Sequence, residues 1–102
     1  MEMTFEAWGE THTVEFHKKQ YTNGNLAIEA IEPTEGPWCF VTTNFGKKLK
    51  PNRAYIDSNG CTPAIIDWLI ANGYAKETGN IMPSGFCIYE EYEFADEFLN
   101  AI

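Results

Sequence analysis

The residues that can do chemistry in this chain are few and scattered. Two histidines, His12 and His17, stand five apart on an alternating stretch, Thr11 to Lys19. Side chains on a strand alternate between faces, so these two point to opposite sides and cannot form a local metal pair. No ligand spacing brings cysteines to them, so neither a metal site nor a cofactor site is expected. Surface or edge positions are the expected setting for both imidazoles. The three cysteines, Cys39, Cys61 and Cys87, form no CxxC pair. Cys61 stands just before a helix N-terminus, where the local dipole favours a thiolate and could activate a nucleophile. Such an enzyme would need a histidine nearby in space. Cys39 and Cys87 lie within strand patterns and are expected to pack as small hydrophobes.

Charge gives two further candidates. The loop Asn44 to Arg53 carries Lys47, Lys48, Lys50 and Arg53, four of the seven basic residues. This cluster could touch nucleic-acid phosphates only within a larger complex, because the chain has a net charge of −8. A solvated loop is the expected reading. Asn59-Gly60 before a helix has the form of an anion-binding turn, but it lacks a glycine-rich phosphate loop and its lysine. Asp57-Ser58-Asn59-Gly60 lacks the late glutamate of a calcium loop.

The densest signal is Tyr89 to Phe98, where Glu90, Glu91, Glu93, Asp96 and Glu97 place five carboxylates within eight positions among aromatic residues. Carboxylates spaced along a strand can imitate phosphates toward a basic groove, and tyrosine supplies contact area. The plainer reading is an edge strand protected from aggregation by its charge. Alternation sends Glu91 and Glu93 to the side of Tyr89. That side is read as solvent-facing, with Phe86, Ile88, Tyr92 and Phe94 toward the core. The expected partner-binding residues are therefore Tyr89, Glu91, Glu93, Asp96 and Glu97.

Something must hold these residues in place. Thr62 to Gly73 is the one long, well-punctuated helix, with Thr62 suited to the cap, Pro63 to the first turn and Gly73 to a left-handed terminus. Ile65, Ile66, Leu69 and Ile70 form its apolar stripe, and Tyr74 is placed to close the cap against Leu69. Most of the remainder reads as strands: Met3 to Trp8, Thr11 to Lys19, Leu26 to Ile31, Trp38 to Thr43, Ala54 to Asp57 and Phe86 to Phe94. Asn23-Gly24 between two of these patterns is a hairpin signal. Trp38 to Thr43 is apolar on both faces and reads as a central strand under the helix. Lys76 to Asn80 reads as loop, and Ala95 to Ile102 as a short terminal helix. The expected fold is α+β: one domain over residues 1–102, with an antiparallel sheet of about five or six strands. The main helix lies on one face, covering Trp38, Phe40 or their neighbours.

Several of these segments resemble a family of small bacterial proteins known as a domain of unknown function. The resemblance is carried by Asn23-Gly24 with Leu26-Ala27-Ile28, by Pro37-Trp38 followed by Thr42-Thr43-Asn44, and by Asp57-Ser58-Asn59. Its most particular part is Ser84-Gly85-Phe86-Cys87 followed by Tyr89 and Tyr92. The chain departs from the pattern at Tyr89-Glu90, where the family is expected to carry proline after the tyrosine. The resemblance runs from about Tyr21 to Phe94. It implies a small αβ protein, often carried on mobile genetic elements, and assigns no activity and no functional residues.

No basic region followed by an apolar run opens the chain, and no apolar stretch approaches the ~20 residues of a membrane span. With free thiols, this points to the cytoplasm. The functional expectation is a non-enzymatic, acidic interaction protein. Its partner would be a basic or nucleic-acid-binding host protein, as for a mobile-element accessory protein that blocks restriction or CRISPR defence. Neither direct nucleic-acid contact nor membrane contact is expected. A small-ligand-binding or regulatory domain is the alternative, and a Cys61-based enzyme the third reading.

Overall fold

The computed structural model describes residues 1–102 and places eight strands in two antiparallel four-stranded sheets. The first sheet is a simple meander of β1 (Glu2–Ala7), β2 (Glu10–Gln20), β3 (Leu26–Glu32) and β4 (Gly36–Phe40). The second contains β5 (Thr42–Thr43), β6 (Arg53–Ile56), β7 (Ala75–Ser84) and β8 (Cys87–Phe94), in the order β5-β6-β8-β7. Helix α1 (Pro63–Ala71) connects β6 to β7, and α2 (Asp96–Ala101) follows β8. The α+β class holds, but the single sheet of five or six strands is replaced by two sheets.

Val41 is where the chain changes sheets. Fully buried, it donates its N–H to the Ile28 carbonyl in β3 at 2.8 Å and accepts from the Asp57 N–H at 2.9 Å. Trp38 to Thr43 is therefore not one central strand. β4 is the edge of the first sheet and β5 the edge of the second, and Phe40 is turned to solvent rather than under the helix. The apolar run is explained by a crossing between two sheets, each needing one buried face.

Core residues come from every layer. Met3 and Phe5 of β1, Val14 and Phe16 of β2, and Ile28 and Ala30 of β3 join Ile65 and Leu69 of α1 and Phe94, Phe98 and Leu99 from the C-terminal end. Phe16 stacks on Trp68 at 5.7 Å between centroids and meets Phe98 edge-on at 5.5 Å, so β2 is gripped by both helices. Ile70 of the expected α1 stripe is exposed, because the helix rests on β1 and β7 through Ile65 and Leu69. No helix is long and apolar enough to cross a membrane.

The termini of α1 follow the sequence in part. Pro63 occupies the first turn and Gly73 has φ of 73°. The Tyr74 N–H reaches the Leu69 carbonyl at 2.9 Å and the Gly73 N–H reaches Ile70 at 3.0 Å, a Schellman closure. Thr62, however, caps nothing with its side chain, since its hydroxyl accepts the Trp38 indole N–H at 2.8 Å.

Lys76 to Asn80 is strand, not loop. It belongs to β7, the long edge strand, whose register is broken between Glu77 and Ile81 around Gly79 at φ of 92°. A bulged edge strand carries few apolar residues and loses its alternation, which explains its polar appearance.

Candidate functional site

The acidic C-terminal segment is largely engaged within the molecule. β8 is an inner strand, paired with β6 on one side and β7 on the other, so side chains of both neighbours flank Glu91. Glu91 is only 4% exposed. Its carboxylate accepts the Thr78 hydroxyl at 2.6 Å and the Asn80 amide at 2.9 Å, and lies 3.6 Å from the Arg53 guanidinium. Burial pushes this carboxyl up. The two hydrogen bonds and the charges of Arg53 and Lys47 outweigh that and hold it below the ordinary carboxylate value.

The expectation of a solvent-facing Glu91 is therefore corrected: it is a structural anion. Glu93 is half-buried and takes the Arg53 Nε–H at 3.4 Å. Tyr89 is half-buried against Phe45, with ring centroids 4.9 Å apart. Asp96 and Glu97 are exposed in the first turn of α2, where negative charge complements the helix N-terminus. Phe86 and Ile88, expected in the core, are exposed at 109% and 61%. β6 pairs with β8 only from Glu91 to Glu93, so the hairpin tip projects past the sheet with β7 alone beside it.

The basic loop is similarly tied down. Lys48 donates to the Asn23 carbonyl at 3.2 Å, Asn25 reaches the Lys47 carbonyl at 2.7 Å, and Arg53 belongs to β6. Cys61 is buried. Its thiol is pushed far up, first by its hydrogen bond to Cys39 and then by burial. A thiol so placed is out of reach of an outside substrate.

A different group of residues forms a built cleft. β1 and β2 are joined by the two-residue loop Trp8-Gly9, closed by the Ala7–Glu10 pair, with φ of 52° and 75°. Both positive angles mark the tight hairpin turn that twists with its strands and favours Asn-Gly. Trp8 holds the first position at a steric cost that a bulky side chain rarely bears, and it is 86% exposed. Its ring lies 5.9 Å from that of Trp38 in β4 and 6.4 Å from His12 in β2.

His12 is not a surface residue. Register pairs it with Phe5, which stacks on it at 5.7 Å, and Trp38 covers it at 4.8 Å. Its Nδ1 lies 3.0 Å from the Glu32 carboxylate, and its Nε2 is buried without a hydrogen bond, 3.8 Å from Glu10. His17, on the opposite face, is exposed beside Glu15 at 3.5 Å.

Beside His12 opens a cleft of about 590 Å³ lined by Glu10, Glu32 and Glu35 with His12 and Trp38, and by no lysine or arginine. Aromatic faces and carboxylates around one opening, with no lysine or arginine among them, attract a cation through ring quadrupoles and charge together. The cleft sits at the N-terminal end of β2, whereas Asp96 lines a separate cleft with Lys18 and Lys19 at the other end. At a strand rise of ~3.3 Å per residue, His12 and Lys18 are roughly 20 Å apart.

None of Trp8, Trp38, Glu10, Glu32 or Glu35 stood out in the sequence as a site residue. The legible signal was Trp8-Gly9 itself, since tryptophan is a poor choice for a turn position that needs positive φ. No curated protein and no solved structure matches the chain. A family model matches residues 13–101, leaving β1, Trp8 and His12 before the matched stretch. The chain accordingly belongs to the family described as a domain of unknown function (DUF4313).

Proposed function

We propose that this protein is an acidic interaction module that docks a basic partner protein and takes a cationic side chain into the cleft lined by His12 and Trp38, beside Trp8. The observation that carries this reading is the strained, exposed Trp8, its ring tilted against Trp38, which in turn lines a cleft with three carboxylates and no basic side chain. Backbone strain of this kind persists where the surroundings hold it, and it concentrates at functional positions. The net charge of −8 adds long-range steering toward a basic surface.

The partner class that fits is a nucleic-acid-binding host protein, whose basic groove presents arginine and lysine. A mobile-element accessory protein that blocks a restriction or CRISPR component would act in this way. In this reading the exposed carboxylates of Asp96 and Glu97 assist steering, and the buried Glu91 contributes nothing to contact.

Fluorescence titration with arginine-rich, lysine-rich and neutral peptides, repeated over a range of salt, tests the reading. Basic peptides should quench tryptophan emission with an affinity that falls as salt rises, and the response should vanish in Trp8→Ala and in Glu10→Gln/Glu35→Gln. Equal binding of the neutral peptide, or wild-type binding by both variants, rules the site out.

A further inference from the structure

Two of the three thiols meet. Cys39 of β4 and Cys61, two residues before α1, are 22 positions apart in the chain, and their sulfurs are 3.0 Å apart. Each is held by backbone that packing fixes. Cys39 lies opposite Ala30 in the β3–β4 ladder, and the Cys61 N–H donates to the Asp57 carbonyl at 2.9 Å. The Trp38 indole bonded to Thr62 ties the same two segments together one residue away on each.

The two sulfurs differ in kind. Cys61 is 4% exposed, whereas Cys39 is half-buried and lines an opening of about 310 Å³ with Trp8, Trp38, Gly60 and Thr62. The two thiols are hydrogen-bonded to each other. That bond, reinforced by the Thr62 backbone N–H, holds the Cys39 thiol below its ordinary value against the opposing effect of burial. One sulfur is thus reachable and disposed to be a thiolate, and the other is hidden behind it within contact distance. Cys87 sits apart on the β7–β8 hairpin, opposite Ser84.

From this contact we infer that Cys39 and Cys61 form a reversible dithiol–disulfide site, with Cys39 the attacking thiol and Cys61 the resolving one, that reacts with small disulfides of the glutathione type. The Cys39 thiolate attacks one sulfur of oxidised glutathione. A Cys39–glutathione mixed disulfide forms and one glutathione thiolate leaves, taking up a proton. Cys61 then gives its proton to solvent and attacks the Cys39 sulfur, forming the Cys39–Cys61 bond and expelling the second glutathione thiolate. Two protein thiols are oxidised and one glutathione disulfide is reduced to two thiols. Closing the sulfurs from 3.0 Å to the ~2.05 Å of a disulfide needs only a small side-chain adjustment. The inference rests on the thiol contact alone and does not require the cation site.

The test is to incubate the folded full chain with oxidised glutathione, alkylate free thiols, and map the peptides by mass spectrometry. The wild type should lose two of its three alkylatable thiols to a Cys39–Cys61 link, with Cys87 still alkylated, and dithiothreitol should restore all three. Cys61→Ser should accumulate the mixed disulfide at Cys39, whereas Cys39→Ser should show none at Cys61. A persistent mixed disulfide on wild-type Cys39, a link involving Cys87, or full alkylation of all three thiols would overturn the inference. The wild-type map decides the matter even if the Cys61 variant fails to fold.

Discussion

Arg53 in β6 faces Glu93 in the strand register, yet its guanidinium also reaches 3.6 Å from the buried carboxylate of Glu91 two residues back along β8. One cation thus serves both carboxylates of the face that alternation assigned to solvent. Charge reversal at Glu91 should therefore be a stability mutation. Glu91→Lys strands Arg53, Thr78 and Asn80 without their acceptor, and urea unfolding should show a loss of about 1–3 kcal/mol or more. A change below about half a kcal/mol would mean that Glu91 is not buried as described.

The same carboxyl makes a pH prediction. Its folded value lies below the ordinary one, so its contribution to stability is fully present above the unfolded value of ~4.3. That contribution is lost as pH falls through the depressed folded value. Melting temperature against pH should therefore drop more steeply below about pH 4 in the wild type than in Glu91→Gln, which cannot titrate there. Parallel curves would remove Glu91 from the acid response.

Leu69 is fully buried in the core. Leu69→Ala should cost about 2–5 kcal/mol in urea unfolding. The exposed Ile70 provides the contrast: Ile70→Ala should stay within about half a kcal/mol of the wild type. Equal losses at the two positions would mean that the buried face of α1 is misassigned.

Trp8 separates function from stability. Glycine adopts the positive φ of this position freely, so Trp8→Gly should leave stability within about 1 kcal/mol of the wild type or raise it. The same variant should lose the salt-sensitive binding of basic peptides. A strongly destabilised variant would mean that Trp8 is a packing residue rather than a binding one.

The hairpin tip carries Phe86 wholly in solvent. Phe86→Ser should be neutral in thermal unfolding, within about half a kcal/mol, because no buried contact is lost. A clear loss of stability would show that Phe86 folds back onto the sheet.

Where local chemistry decides conformation, the sequence was sufficient. Asn23-Gly24 marks a hairpin, Pro63 and Gly73 bound α1, and Val14 and Phe16 choose the buried face of β2, because each rests on steric preferences or alternation within a few residues. Family membership was legible in the same short segments, such as Ser84-Gly85-Phe86-Cys87. Strand neighbours were not legible. Pairing β8 between β6 and β7 buried Glu91, and crossing at Val41 divided one expected sheet into two. Both results depend on contacts between residues far apart in the chain, which periodicity does not encode. The aromatic cleft and the Cys39–Cys61 contact have the same origin. Trp8 comes from the β1–β2 turn, His12 from β2 and Trp38 from β4, and Cys61 from a turn after β6 of the second sheet. Only packing the hairpin of the first sheet beside the start of α1 brought these groups together.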